Sequence, residues 1–439
     1  MHMFNQIQSL DLAARLPATL LAVEQRFDAP RLGDIATAVR VALDQRGLRE
    51  RIAPGASVAV GVGSRGIANL PLIVATVVEQ LRAVGTAPFV FPAMGSHGGA
   101  TAEGQRLLLA ELGVTPERIG AEIRATMEVR EIGQLPDGPA LFQDLISSAA
   151  DATLLINRVK PHTDFRSAIE SGLAKMAVIG LGKRHGAIRM HALGVAGFQR
   201  LLAPAAQIYA ARTNVIGGLA ILENAYDQTA AIVGLAAQEI GGPREAQLLA
   251  RAKELMASLP FPLIDVLVVQ QIGKNISGTG MDTNIIGRLM IPRQPEDFGG
   301  PDVAVIVALD LTEETNGNAI GIGLANVTTE RLVRRIDWGA TYTNAITAGI
   351  FGMWRASLPL TMPDDRRALQ LGVCGCGQPE ADARLVLIRD TLTLDRIWVT
   401  PSLRSEVEAH PQLSIIEELP LTFDADGTLT SPWRLTSHA

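Results

Sequence analysis

The sequence predicts a two-domain α/β protein, with an N-terminal Rossmann-like domain built on a mostly parallel sheet and a smaller, mixed α/β C-terminal domain. Short apolar runs alternate with segments of helical periodicity, which is the α/β pattern. The 439 residues are too many for one ordinary core, since domains usually hold about 100–200 residues. A proline-rich stretch at 259–262 predicts a hinge between domains 1–260 and 261–439, with the active site in the cleft between them.

The signals for strands and helices follow one another along the chain. In the first half, buried strands are predicted at 57–62, 88–92 and 151–159, and helices at 70–84 and 101–113. Thr101 is the expected N-cap of the second helix, with Glu103 in its first turn. Further on, strands are predicted at 216–222, 264–270, 303–309, 385–388 and 397–400, and helices at 244–257 and 338–350. In such sheets, the loops after the strands usually carry the functional groups.

Charge and hydropathy exclude several classes of protein. The 39 Lys and Arg against 45 Asp and Glu give a net charge of -6, without the basic face that nucleic-acid binding requires. No apolar run reaches the ~18–20 residues of a membrane helix, and the N-terminus lacks a signal-peptide pattern. Cys374 and Cys376 are too close for an ordinary bridge, and we expect a small buried pair. The sequence therefore predicts a cytoplasmic protein that binds neither membrane nor nucleic acid.

Lysine is scarce in this chain. Only five of the 39 basic residues are lysines, at positions 160, 175, 183, 253 and 274, and the rest are arginines. A lysine retained among arginines can mark a position that needs an amine, for example a covalent anchor. GC-rich coding produces the same bias without any functional meaning.

Two histidines follow predicted strands. His97 lies in the loop Gly95-Ser96-His97-Gly98-Gly99, where glycines let the backbone approach an anion closely. His162 follows Pro161, which fixes the direction of the chain after the strand at 151–159. Two imidazoles at neighbouring strand ends suit proton transfer on both faces of one carbon. A structural role for either histidine is the alternative.

Lys175 and His191 form a second pair of candidates. Lys175 ends the segment Ser171-Gly172-Leu-Ala-Lys and can anchor a cofactor, although an ordinary solvated lysine fits as well. His191 follows sixteen residues later, and no HExxH motif or Cys/His cluster accompanies it. A metal bound there would take most of its ligands from elsewhere.

Three further residues have side chains suited to binding an organic acid. Lys274, with Gln271 three positions before it, follows the predicted strand at 264–270, and Arg65 lies in the first loop. Cations together with an amide can hold a carboxylate and a hydroxyl group. A surface or packing role is the alternative for each of them.

In this order, the segments resemble the lactate racemase family, which depends on a nickel-pincer nucleotide. The resemblance covers about residues 60–275 and includes the spacing from Lys175 to His191. It implies an isomerase, a racemase or epimerase that inverts the C2 carbinol centre of a 2-hydroxy carboxylate by hydride transfer to and from the cofactor. That cofactor is a pyridinium-thioamide-thiocarboxylate mononucleotide carrying nickel, whose square-planar geometry suits Ni(II).

The resemblance also implies a role for each candidate. His97 and His162 would be the acid/base pair, Lys175 the covalent tether and His191 the nickel ligand. Arg65, Gln271 and Lys274 would hold the substrate. The residues implied to surround the cofactor are Gly95, Ser96, Gly98, Gly99, Ser171 and Gly172. The implied partners are the 2-hydroxy acid and the enzymes that make the cofactor, and a homo-oligomer is left open.

Three departures from the family pattern fall beside the implied substrate. Gly61-Val-Gly-Ser precedes Arg65 where the family has an acidic residue, about three extra residues lie near Thr163-Asp-Phe-Arg, and Leu173 replaces a glycine. They make a larger 2-hydroxy acid, or a sugar acid epimerised at C2, as good a substrate as lactate. Three other functions remain open: a pyridoxal phosphate enzyme with Lys175 as Schiff base, a cofactor-free acid/base enzyme, and a non-catalytic protein that binds organic anions.

Overall fold

The structure is a computed structural model that describes residue 12 and residues 14–296 and 299–432. It is an α/β protein whose chain divides into two compact units, Asp28–Met256 and Met1–Phe27 with Ala257–Ala439. Most of the N-terminal residues that bear on the signal-peptide prediction lie outside the described part. Within that part, no helix is long and apolar enough to cross a membrane.

Strands and helices alternate along much of the chain. The strands are β1 (Thr19–Gln25), β2 (Ser57–Val62), β3 (Ala87–Pro92), β4 (Val129–Gln134), β5 (Ala140–Asp144), β6 (Ala152–Arg158), β7 (Val215–Glu223), β8 (Thr229–Ala236), β9 (Leu263–Ile272), β10 (Asp302–Leu311), β11 (Val327–Thr329), β12 (Leu360–Met362), β13 (Leu385–Ile388), β14 (Arg396–Val399) and β15 (Leu413–Pro420). The helices are α1 (Ile35–Asp44), α2 (Leu70–Ala83), α3 (Ala102–Glu111), α4 (Pro116–Ile119), α5 (Leu145–Ala149), α6 (Gly172–Lys175), α7 (Lys183–His191), α8 (Gly194–Arg212), α9 (Pro243–Leu255), α10 (Thr283–Ile286), α11 (Glu330–Arg334), α12 (Trp338–Ala348), α13 (Asp365–Gly375) and α14 (Arg404–Ala409).

The unit Asp28–Met256 is built on a sheet that is mostly parallel. Among the described residues, its strand order is β3-β2-β6-β7-β8, and only β8 runs antiparallel to its neighbour. The apolar runs of β2, β3 and β6 are buried because such sheets are covered on both faces. Val60, Val74 and Ile156, each fully buried, belong to the core between this sheet and helices such as α2.

Helix α3 begins as the sequence predicts. Thr101 is its N-cap, and the Thr101 hydroxyl accepts the backbone N–H of Gly104 at 3.0 Å. Glu103 lies in the first turn, where its negative charge interacts favourably with the helix dipole. The helix therefore starts directly after the loop that carries His97.

The second unit contains a larger sheet of mixed direction. In the described part, its strand order is β12-β11-β10-β9-β13-β14-β1-β15, parallel from β12 to β13 and antiparallel beyond. Strand β1 pairs with β14 and β15, so the first residues belong with the C-terminal part of the chain rather than with residues 28–256. Leu20 and Ala22 of β1 lie in the same core as Val266 of β9, and this shared apolar core explains the placement.

The cysteine prediction is wrong for one of the two residues. Cys376 is buried and its thiol donates to the carbonyl of Val373 at 3.2 Å, whereas Cys374 is exposed; both are free thiols. Cys374 lies in the last turn of α13, on the side away from the core that contains Val373. The pair is therefore split by the geometry of the helix.

Candidate functional site

Three candidates follow neighbouring parallel strands of one sheet. β2 pairs with both β3 and β6, and all three run in the same direction, so their carboxyl ends lie at one edge of the sheet. Arg65 follows β2, His97 follows β3 and His162 follows β6. This edge is where α/β sheets usually bind their ligands.

The loop after β3 fixes the protonation pattern of His97. Nδ1 of His97 lies 2.8 Å from the carbonyl oxygen of Met94. Because a carbonyl can only accept, Nδ1 carries the proton in the neutral ring, and Nε2 is the basic nitrogen. His97 is exposed to solvent, as a proton acceptor for a bound substrate must be.

The neutral ring of His162 carries its proton on the other nitrogen. The backbone N–H of Asp164 donates to Nδ1 of His162 at 3.0 Å, so the neutral ring carries its proton on Nε2. That Nε2 contacts the side-chain nitrogen of Lys175. The buried carboxylate of Glu170 accepts the backbone N–H of His162 at 2.9 Å and also binds Lys253 at 2.6 Å. The two histidines therefore present one acceptor and one donor nitrogen.

Lys175 is held by the start of helix α6. The buried carboxylate of Glu245 accepts the backbone N–H groups of Ala174, at 3.1 Å, and Gly241, at 2.7 Å. Gly172 lies so close that a Cβ there would stand 2.3 Å from Oε1 of Glu245, and its φ of +78° is one that glycine adopts readily. The glycine of the Ser-Gly-Leu-Ala-Lys segment is thus required by packing.

The amine of Lys175 is unusually acidic. Its pKa is lowered from the ordinary 10.5 to about 8, chiefly by burial; the charge of Asp164 opposes this change and the charge of Arg65 adds to it. A substantial fraction of this amine is therefore neutral near pH 8, which is the form that acts as a nucleophile.

A stack of aromatic rings connects the Lys175 contact to His191. His162 stacks on Phe165 with ring centroids 4.5 Å apart, Phe165 stacks on Phe198 at 5.3 Å, and His191 meets Phe198 edge-on at 5.1 Å. A chain of side-chain contacts thus links Lys175 to His191.

The electrostatics of His191 agree with this arrangement. Its pKa is lowered to about 4, first by desolvation of the ring and then by the charge of Lys175, with a smaller effect of His97 in the same direction; Asp164 acts against these. The residue is exposed to solvent, and its imidazole is neutral near pH 7, the form that binds metals. Within the described residues, no group of three or more His, Cys, Asp or Glu side chains is arranged to hold a metal ion.

Arg65 lies at the exposed end of this group. Its pKa is lowered by desolvation and by the like charge of Arg158, while Asp164 raises it. Glu223 pairs with Arg158 and accepts the backbone N–H of Ala68 at 2.6 Å, which anchors the loop that carries Arg65. Asp164 is thus the acid whose charge acts on Arg65, Lys175 and His191 alike.

The residues implied to surround the cofactor have different positions. Ser171 accepts the backbone N–H of Lys160 at 2.8 Å and donates to the carbonyl of the same residue, so its hydroxyl closes the loop between β6 and α6. In the loop after β3, Gly95 is buried and Gly98 half-buried, while Ser96 and Gly99 are exposed. The predicted contacts of these residues with a cofactor stay predictions.

Gln271 and Lys274 belong to the other unit, where β9 ends. Nζ of Lys274 donates to the carbonyl of Gly278 at 3.0 Å and to Oδ1 of Asn344 at 2.8 Å. The backbone N–H of Gln271 donates to the carbonyl of Arg389 at 2.9 Å. Asn344, which holds the lysine, has no signal in the sequence because it lies on a helix far along the chain.

Comparisons with known proteins add two similar folds. No family model matches the sequence, and no curated protein matches it. A Thermotoga maritima protein solved by a structural genomics consortium is similar over 63% of this chain and 69% of its own, with 13% identity and a TM-score of 0.46. The lactate racemase apoprotein from Thermoanaerobacterium thermosaccharolyticum is similar over 85% of this chain and 88% of its own, with 11% identity and a TM-score of 0.45. At these identities and TM-scores, neither similarity bears on the activity of this chain.

Proposed function

We propose that this protein is a racemase or epimerase that inverts the C2 carbinol centre of a 2-hydroxy carboxylate, with a nickel-pincer nucleotide attached to Lys175. The observation that supports it most is the continuous path from Lys175 through His162 and the two phenylalanine rings to His191. A tether and a single metal ligand for one nucleotide must lie near each other, and the effect of the Lys175 charge on the pKa of His191 supports this.

The chemistry of the two residues fits the proposed group. A thioamide link needs a nucleophilic amine, and the pKa of Lys175 is lowered to about 8. A nickel ligand must be a neutral imidazole, and His191 is neutral near pH 7. When bound, the nickel-pincer nucleotide supplies a hydride acceptor and donor, because the C2–H of a hydroxy carboxylate is too weak an acid for imidazole to ionise.

The histidines handle the hydroxyl proton. Nε2 of His97 is the basic nitrogen and takes the proton from the substrate hydroxyl in one direction of the reaction. The N–H of a neutral imidazole is too weak an acid for this step, so His162 acts in its protonated form: its Nε2, which contacts the Lys175 amine in this structure, returns a proton to the oxygen from the opposite side. Inversion needs one acceptor and one donor at a time, and one neutral and one protonated imidazole provide them.

Arg65 binds the substrate in this proposal, pairing with the carboxylate from the loop after β2. The roles implied for Gln271 and Lys274 stay predictions. Asp164 can accept hydrogen bonds from additional hydroxyl groups, which favours a polyhydroxy acid over lactate, although both belong to the proposed class.

The test combines composition with activity. The full chain is co-expressed with cofactor-making enzymes, and intact mass, nickel content and loss of optical rotation on a panel of 2-hydroxy acids are measured beside those of Lys175→Arg. We expect stoichiometric nickel, added mass and racemisation in the natural chain, with the added mass absent from the variant. A natural chain with neither nickel nor added mass would overturn the proposal.

A Schiff-base enzyme is the second candidate, because the lowered pKa of Lys175 suits an aldimine equally well. Purified protein would then show a visible absorbance band that disappears on treatment with borohydride. The same preparation would contain no stoichiometric nickel, so one sample separates the two functions.

A further inference from the structure

Lys183 is a buried cation that the proposed chemistry does not use. It is one of only five lysines, and its side chain is 0% exposed. Its nitrogen donates to the carbonyl of Pro92, where β3 ends, and to Oε1 of Gln105 on helix α3 at 2.9 Å. Burying an ammonium group is costly unless its hydrogen bonds are satisfied, so a lysine at this position requires these two acceptors.

Gln105 connects Lys183 by hydrogen bonds to the loop that carries His97. Its amide nitrogen donates to the carbonyl of Gly95 at 2.9 Å and to that of His97 itself at 3.3 Å. An ammonium can only donate and a carbonyl can only accept, so the amide must turn its oxygen to Lys183 and its nitrogen to the loop. Gln105 is 0% exposed, and no bulk solvent competes for these bonds.

The backbone of Lys183 is also unusual. Its φ is +49°, a left-handed conformation that is unfavourable for residues with a Cβ. The residue is the first of helix α7, which ends at His191, and it follows the π-helical turn Met176–Gly180, which continues from Lys175. The direction of the chain therefore changes at Lys183, between the proposed tether and the proposed nickel ligand.

The same turn contacts the His97 loop. The backbone N–H of Gly95 donates to the carbonyl of Gly180 at 3.3 Å, and a Cβ at Gly95 would stand 3.1 Å from Ile179. Lys183 thus adjoins each of the three segments that carry Lys175, His191 and His97. A neutral side chain of the same length would fill the space but leave both oxygen acceptors without their donor.

We propose that Lys183, acting through Gln105, is a positioning residue that holds the loop of His97 at the orientation required for proton transfer. This inference rests on the proposed function for its catalytic consequence. Its structural part, the order of the loop, is measurable without any activity.

The structural test is hydrogen exchange of the full chain followed by mass spectrometry. Lys183→Met removes the donor, and Gln105→Glu keeps a partner for Lys183 but turns an acceptor towards the two loop carbonyls. We expect both variants to exchange at least 10-fold faster in peptides covering residues 93–100, with unchanged peptides in β6. Arg184→Met, an exposed neighbour on the same helix, is the matched control and should match the natural chain.

The functional test uses the holoenzyme. Since a displacement of about 1 Å can cost about 10²-fold in rate, we expect kcat to fall roughly 10–100-fold in both variants, with KM changed less than 3-fold. Intact mass should show that Lys175 still carries its adduct, which separates lost positioning from lost cofactor. A variant that is only destabilised would exchange faster in β6 as well as in residues 93–100, so unchanged β6 peptides exclude that explanation.

The outcomes distinguish the two proposals. Normal exchange at residues 93–100 in both Lys183→Met and Gln105→Glu overturns the positioning role, whatever the activity. Faster exchange in a natural chain that never binds nickel or gains mass on Lys175 leaves the loop support intact and overturns the proposed function instead. If Lys183→Met does not fold, Gln105→Glu carries the test alone.

Discussion

The side-chain nitrogen of Lys175 contacts Nε2 of His162, while the backbone N–H of Asp164 occupies Nδ1 of the same ring at 3.0 Å. The neutral imidazole is therefore protonated on the nitrogen that faces the amine. With the pKa of Lys175 lowered to about 8, the amine can accept that hydrogen bond in its neutral form. This contact places an amine of lowered pKa beside an imidazole.

The buried amine should make stability depend on pH. Lys175 has a pKa of about 8 in the folded chain and about 10.5 in the unfolded chain, so only the unfolded chain binds this proton between those values. Stability therefore rises with pH across that window, on the order of 1–2 kcal/mol after allowing for partial solvation.

Urea unfolding of the natural chain and of Lys175→Met at pH 7.5 and pH 10 measures this contribution of Lys175. The difference in the free energy of unfolding between the two proteins should change by about 1–2 kcal/mol from one pH to the other. Lys183 is present in both proteins, so its own titration does not affect that difference. Equal pH dependence of the two proteins would contradict the lowered pKa.

Asp164→Asn should lower the pKa of Lys175 further. The carboxylate of Asp164 raises the pKa of both Lys175 and His191, while its backbone N–H, which holds His162, remains in the variant. The pH midpoint for reductive methylation of Lys175, followed by peptide mass spectrometry, should move below about 8. Asp382→Asn, an exposed aspartate of the other unit, is the control. An unmoved midpoint in Asp164→Asn would show that its charge does not reach the amine.

Removing either acid/base histidine should stop racemisation. His97→Ala and His162→Ala each remove a proton-transfer group worth about 10²–10⁴-fold, so each should abolish measurable loss of optical rotation. His97→Ala should retain the added mass on Lys175, because the proposed attachment is made by the Lys175 amine. His410→Ala in the other unit serves as control. Full activity in either site variant would refute the two-histidine assignment.

Gly172→Ala should destabilise the protein more than Gly99→Ala. Both glycines have positive φ, +78° and +63°, so both substitutions carry backbone strain of about 1–2 kcal/mol. A methyl group at Gly172 also meets Oε1 of Glu245 at 2.3 Å, whereas nothing lies within 4 Å of one at Gly99. We expect a further loss of about 1–3 kcal/mol in the Gly172 variant from urea unfolding. Equal losses would mean that Glu245 moves without cost.

Local sequence patterns predicted much of the sheet that positions the site. The strand predicted at 57–62 is confirmed at the same residues, and those at 88–92 and 151–159 are confirmed within one residue at each end. These runs are apolar because both faces of a parallel sheet are buried, and that demand is visible in consecutive residues. The hairpin of β4 and β5 was missed, since no residue of β4 is fully buried and β5 has only five residues.

The sequence by itself determined the residue types of the site: two histidines after strands, a lysine after a glycine and a histidine sixteen positions later. Only the tertiary structure decided that Phe165 and Phe198 join His162 to His191, that Asp164 supplies the counter-charge and that Glu245 holds α6. It also decided that β1 pairs with β14 and β15. The physical reason is distance along the chain: strand and turn preferences act among neighbouring residues, whereas charge, desolvation and ring stacking depend on groups that only folding brings together.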